Sequence, residues 1–206
     1  MKKISLLGCG KLGLPLAINL LDKGYIVKGS TSKKSNLDKI KSKGIEPFII
    51  NTNNRNMDLD FFDSDILVLT LPFKKSFSDP NIYIQQIEKI IICIKKSNIK
   101  HIVFTSSSSV YPKDGKLYHP KDDFIPPSDR SKVLLKCENL INSINGVSTF
   151  IIRLGGIYGK NRSVSPSGKI RRLISEKEAI SLLEKGILEF GKNSYVNGFS
   201  LKVMSK

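Results

Sequence analysis

Residues 3–24 read KISLLGCGKLGLPLAINLLDKG, and this stretch decides the fold. Lys3–Gly8 alternates little and is apolar, as a strand buried on both faces should be. Gly8, Gly10 and Gly13 follow at the spacing G-x-G-x-x-G. The first glycine permits a tight turn, the second lets backbone approach a pyrophosphate, and the third allows close packing of helix on strand. The helix after it, from about Lys11 to Lys23, carries Pro15 in its first turn, where a missing N–H costs little, and Gly24 at its C-terminal end. Strand, glycine turn and helix in this order make the motif informative, because the helix N-terminus then faces the anion. The two lysines and apolar run at the N-terminus superficially resemble a signal peptide. Lys11 interrupts the run, and the glycine spacing argues for strand, turn and helix instead.

Outward from this unit, apolar runs alternate with amphipathic stretches. Strands are expected at Tyr25–Thr31, Glu46–Asn51, Asp65–Leu71, His101–Thr105 and Ser148–Leu154. Helices are expected at Asn36–Ser42, Asn81–Lys96 and Asp129–Ile144. The pattern predicts an α/β fold, a doubly wound parallel sheet of Rossmann type with helices on both faces. The rhythm stops near Lys160. Residues 1–162 are therefore read as the dinucleotide-binding domain. Residues 163–206 are read as a Ser/Pro/Gly linker (163–169), one helix near 175–189 and a polar tail.

The end of the second strand selects the cofactor. A carboxylate about 20 residues past the glycine loop would bind a ribose 2′-hydroxyl. No acidic residue occurs between Asp22 and Asp38, and the segment reads Ser30-Thr31-Ser32-Lys33-Lys34. Hydroxyls followed by cations suit a 2′-phosphate, so NADP(H) is expected over NAD(H). The candidate binding residues are Gly8, Gly10, Lys11, Leu12, Gly13, Ser30, Thr31, Ser32 and Lys33. Leu71 and Pro72, at the end of the fourth strand, complete the set.

The 206-residue chain carries a net charge of +16, with 40% hydrophobic and 25% charged residues, values of a globular protein. Of its 34 basic residues 28 are lysine and 6 arginine. Arginine is the residue that reads bases and phosphates bidentately, so the scattered lysine surplus argues for non-specific attraction to nucleic acid and no specific reader. Cys9, Cys93 and Cys137 are odd in number and far apart, suggesting neither disulfides nor a zinc site and pointing to the cytoplasm.

His101–Pro112 reads HIVFTSSSSVYP, and Arg153–Gly159 reads RLGGIYG. With the glycine loop, these segments resemble the NAD-dependent epimerase/dehydratase family, the extended short-chain dehydrogenase/reductases, and within it an atypical branch of NAD(P)-dependent oxidoreductases and nucleoside-diphosphate-sugar epimerases. The resemblance runs from residue 1 to about 162. It implies a nicotinamide dinucleotide, a sugar-nucleotide substrate, and a substrate-binding hydroxyl at Ser107. The family's Y-x-x-x-K proton-donating pair is absent: four residues after each of the six tyrosines stands Gly29, Ile87, Gly115, Asp122, Arg162 or Phe199. Aligning Glu138 with the family's acidic residue puts Arg130 and Leu134 at the pair's positions. Aligning Lys132 with its lysine puts Ser128 at the tyrosine. Tyr111 is then the candidate replacement acid, being the phenol nearest the cleft. The family's smaller C-terminal substrate lobe is also unrecognisable in 163–206, as a truncated gene would leave it. Catalysis, non-catalytic NADP(H) binding and charge-driven nucleic-acid binding are the three readings, the first two favoured by the loop. A rival resemblance, to hydroxyacid dehydrogenases related to 6-phosphogluconate dehydrogenase, rests on Gly13–Leu20 as G-x-P-x-A-x-N-L. The Ser106–Tyr111 and Arg153–Gly159 segments weigh against it.

Overall fold

The computed structural model describes residues 1–54, 56–74, 77–159 and 170–203. The linker expected at 163–169 lies outside them. The main sheet is built from β1 (Lys3–Leu7), β2 (Ile26–Thr31), β3 (Glu46–Ile49), β4 (Ile66–Leu69), β5 (His101–Ser107), β6 (Ser148–Leu154) and β9 (Ser194–Gly198). All are parallel, in the order β3-β2-β1-β4-β5-β6-β9. The first six follow the doubly wound dinucleotide-binding order, which reverses direction between β1 and β4 and opens a crevice there. The expected fold class is the observed one.

Helices α1 (Gly13–Asp22), α2 (Leu37–Lys41) and α5 (Glu176–Leu188) cover one face, α3 (Asn81–Lys95) and α4 (Asp129–Asn142) the other. The period-2 geometry of the strands supplies both cores at once. In β4, Ile66 and Val68 point to the α1 and α5 side, Leu67 and Leu69 to the α3 and α4 side, all with no exposed surface. Burying each such side chain contributes roughly 1.5–3 kcal/mol before chain entropy is counted.

Residues 170–203 contain the expected helix but replace the polar tail with strands. They hold α5 and three strands: β8 (Ile170–Ser175), β9 and β10 (Ser200–Val203). β9 extends the main sheet, while β10 and β8 pair antiparallel and β8 pairs parallel with β7 (Gly156–Tyr158) in a small second sheet. β9 is half-buried along four of its five residues, so SYVNG shows no apolar run for a reader to find. α5 opens with a capping box, Ser175 and Glu178 satisfying each other's backbone N–H. Its Leu183 and Ile187 are buried against the sheet.

His101 ties α5 to the sheet. The ring is fully buried, with Nδ1 2.7 Å from Ser148 Oγ and Nε2 2.8 Å from the Gly186 carbonyl oxygen. A carbonyl only accepts, so Nε2 carries the proton of the neutral ring. Burial holds the His101 pKa below its ordinary 6.5. A folded pKa below the unfolded one means stability present above 6.5 and lost as pH falls from there through the folded value. Thermal scans should therefore show a lower Tm at about pH 5.5 than at about pH 7.5, and His101→Gln should flatten that difference.

Candidate functional site: a dinucleotide cleft with a basic cleft beside it

The glycine loop lies at the crevice where the strand order reverses. Gly8 adopts φ +108°, a conformation that favours glycine, and a Cβ there would meet Thr70 Oγ1 at 2.9 Å. A Cβ at Gly13 would stand 2.2 Å from the Gly8 carbonyl oxygen and 2.6 Å from Leu6 Cδ2, so α1 approaches β1 only with glycine at that position. A Cβ at Gly10 would meet nothing within 4 Å, so protein packing does not require that glycine. Leu12 stands at the N-cap of α1 with no side-chain capping hydrogen bond among the described residues, and the first turn holds no acid. An uncapped helix end behind a loop with open space at Gly10 fits a pyrophosphate.

Gly8, Gly10, Lys11, Leu12, Gly13, Leu71, Pro72 and Ser107 all line one cleft of about 490 Å³. The sequence reading missed Thr70, Phe73, Tyr83, Thr105, Leu134 and Ile157, which line it too. Thr70 Oγ1 donates to the Gly8 carbonyl at 2.8 Å and Thr105 Oγ1 to the Leu69 carbonyl at 3.0 Å. Both lie at the carboxyl ends of strands, where ligands of open α/β sheets bind, and that rule would have pointed to them.

Ser30 departs from its expected role. It is 1% exposed, and its hydroxyl accepts the Gly8 N–H at 3.1 Å, while its carbonyl accepts the Cys9 N–H at 2.8 Å. It holds the loop from below. Thr31 is half-buried, with Oγ1 accepting from Lys33 N at 3.2 Å and Asn36 Nδ2 at 3.4 Å. Ser32 and Lys33 are exposed at the end of β2, outside the cleft lining. Cys9 sits within the loop, its thiol pushed up to about 12 by burial, which leaves it a poor nucleophile.

A second cleft of about 1070 Å³ shares Ser107, Gly155 and Ile157 with the first. Ser109, Lys113, Arg171 and Arg172 line its polar side, Leu173 and Leu201 its apolar side. Ser107 accepts the Ser109 N–H at 3.2 Å, and among the described residues its own O–H has no acceptor.

Tyr111, expected as the replacement acid, is fully buried in the wall. Its hydroxyl donates to Asn197 Oδ1 and accepts from Arg153 Nη1, both at 2.8 Å. Arg153 in turn pairs with Glu138, Nη2 to Oε2 at 2.8 Å, and Ser106 donates to the same carboxylate. Burial works against the Arg153 charge, but the hydrogen bonds and electrostatic attraction of Glu138 and Tyr111 together outweigh it, so its pKa is raised. The phenol is committed to this buried network.

On α4 the structure separates the two alignments. Leu134 lines the dinucleotide cleft, and Arg130 lies one turn earlier, donating to the Phe73 and Lys74 carbonyls. Ser128 instead caps α4, and Lys132 pairs with Asp129 on the exposed side. Among the described residues no helix is long and apolar enough to cross a membrane.

The profile of the NAD binding domain of 6-phosphogluconate dehydrogenase matches residues 3–116, more than half the chain. Protein YeeZ of Escherichia coli K12 is 30% identical over 167 residues, covering 79% of this chain and 61% of YeeZ. The chain thus spans about 61% of the curated relatives it matches. UDP-N-acetylglucosamine 4-epimerase from Bacillus cereus superposes with a TM-score of 0.78 at 18% identity, covering 97% of this chain and 78% of that one. MoeE5 in complex with UDP-glucose and NAD gives 0.79 at 14%, covering 99% and 78%. The likeness to NAD-dependent epimerase/dehydratase proteins therefore holds for the fold along nearly the whole chain. The rival resemblance, against which the Ser106–Tyr111 and Arg153–Gly159 segments weighed, matches from β1 through β5, the Ser106–Tyr111 segment included, and its match ends before β6. By residues 3–116 the chain belongs to the family of the NAD binding domain of 6-phosphogluconate dehydrogenase, carried on a fold shared with sugar-nucleotide epimerases.

Proposed function

We propose that the protein binds NADP(H) in the 490 Å³ cleft and a sugar nucleotide in the 1070 Å³ cleft beside it. The observation that carries the first half is the uncapped α1 N-terminus behind the open Gly10, at a β2 end with no carboxylate. Thr31, Ser32 and Lys33 are assigned to the 2′-phosphate, with Ser30 supporting the loop. Lys113, Arg171 and Arg172 supply positive charge suited to a nucleoside diphosphate, and the likeness to a protein complexed with UDP-glucose and NAD supports this. When bound, the nicotinamide would supply or accept a hydride. Ser107, bordering both clefts, is the hydroxyl placed to hold a substrate oxygen. Three unpaired cysteines fit a reducing compartment, and we assign the protein to the cytoplasm, with no specific nucleic-acid partner.

Calorimetric titration should show NADPH binding more tightly than NADH, and Lys33→Glu should narrow or reverse the difference. Equal affinities in the unaltered protein would sink the 2′-phosphate assignment.

Leu134 in the cleft and the committed hydroxyl of Tyr111 favour a second reading, binding without turnover. A general acid contributes about 10²–10⁴-fold. Among the described residues lining the clefts, position 134 carries no ionisable group, and the phenols of Tyr83 and Tyr111 already donate to the Leu71 carbonyl and to Asn197. Interconversion of UDP-sugar epimers and reduction of NADP⁺ by UDP-sugars separate the readings, since an epimerase returns the hydride and leaves no net change in the cofactor. Little or no turnover by either measure, barely altered by Ser107→Ala, is the result expected of binding alone. A robust rate in either, falling sharply in Ser107→Ala, would establish the epimerase or the oxidoreductase.

A further inference from the structure

The segment after β4 has no regular backbone pairing, yet three of its carbonyls are claimed by side chains from two helices. Tyr83 of α3 donates its hydroxyl to the Leu71 carbonyl at 3.1 Å. Arg130 of α4 donates Nη2 to the Phe73 carbonyl and both Nη1 and Nη2 to the Lys74 carbonyl, each at 3.2 Å. Its guanidinium lies 3.8 Å from the centre of the Phe73 ring, and that ring stacks on Tyr83 at 4.7 Å with a 10° tilt. Among the described residues no carboxylate pairs with Arg130. Its charge is spent on one stretch of main chain and one ring.

That stretch is a wall of the dinucleotide cleft, lined by Leu71, Pro72 and Phe73. Leu134, one helical turn after Arg130, belongs to α4 and lines the same cleft. Arg130 thus joins the two elements that border the cleft between β4 and α4. The phosphate loop and the end of β2 take the adenosine side, so this end faces the nicotinamide half.

We propose that Arg130 is a positioning residue that sets the width of the cleft for the nicotinamide half of the dinucleotide, by clamping residues 71–74 to α4. The proposal rests on the dinucleotide reading above. A planar fork that reaches two carbonyls and stacks on a ring is specific to arginine, so lysine cannot replace it.

The test is calorimetric binding of two probes, NADPH and adenosine 2′,5′-bisphosphate, which lacks the nicotinamide half, to the full chain. Arg130→Met should weaken NADPH about tenfold, as loss of charge-assisted hydrogen bonds holding the wall implies. It should leave the bisphosphate affinity unchanged, and Arg130→Lys should not restore NADPH binding. Should Arg130→Met not fold, Phe73→Leu removes the stacked ring while leaving the carbonyls, and the same selective loss is expected. Unchanged NADPH affinity, or equal loss for both probes, overturns the clamp. If the unaltered protein binds neither probe, the dinucleotide reading fails first and the clamp with it.

Discussion

Replacing Arg153 by methionine is expected to destabilise the fold by about 3–5 kcal/mol, the cost of leaving a buried charge without its partner. The stranded group is Glu138, 1% exposed, which would keep only the Ser106 hydroxyl as a donor among the contacts now made to it. The same substitution takes a donor from Tyr111 and from the Pro120 carbonyl, contacts that join β6 to the segment before α4. For a chain of this size each kcal/mol shifts Tm by roughly 2–4 °C, so a drop of about 10 °C is expected in thermal unfolding. Adding Glu138→Leu should recover part of the loss, because an apolar pair of similar volume no longer strands a charge. A double variant no more stable than Arg153→Met would show that the pair's worth lies in its neighbours. Tyr111→Phe, which removes only the hydroxyl from the network, should cost about 1 kcal/mol.

Gly10→Val and Gly13→Val should fail in different ways. At Gly10 an added Cβ meets nothing within 4 Å among the described residues, so the variant should fold with an unchanged Tm. It should nonetheless lose NADPH binding, since the branched side chain occupies the space left for the pyrophosphate. At Gly13 the Cβ would overlap the Gly8 carbonyl at 2.2 Å, and backbone must move before the residue fits. That variant should lose both binding and stability, by about 1–3 kcal/mol or more from overpacking. Measuring Tm and NADPH affinity on both variants distinguishes a glycine kept for the ligand from one kept for the fold. Wild-type affinity in Gly10→Val would remove the phosphate-loop assignment.

Much of the molecule was legible in the chain because its signals are local. The glycine spacing, the apolar strands and the amphipathic stretch that forms α3 depend on neighbours within a few residues. They sufficed for the doubly wound sheet and for the cleft residues from Gly8 to Gly13. The strands after residue 170 were not legible. β9 and β10 are short and half polar, and become strands only through β6 and β8, partners whose pairing no local pattern announces. Ser30 was misjudged for a related reason. Its residue type suits a phosphate, but the main-chain N–H that claims its hydroxyl is 22 residues away.

The chain alone is enough to read the parallel sheet, the G-x-G-x-x-G spacing, the acid-free segment at the end of β2, and the fact that no tyrosine is followed four residues later by lysine. Each is a matter of which residues stand at what spacing. Only the tertiary structure decided what the remaining polar groups do. Packing encloses Tyr111 and gives its hydroxyl to Arg153 and Asn197, and it turns Leu134 into the cleft. It also sets Arg130 across residues 73 and 74, 56 or more positions distant in the chain. A buried hydroxyl or guanidinium must take its partners from whatever the fold brings within about 3 Å, and those partners are not encoded by spacing along the chain.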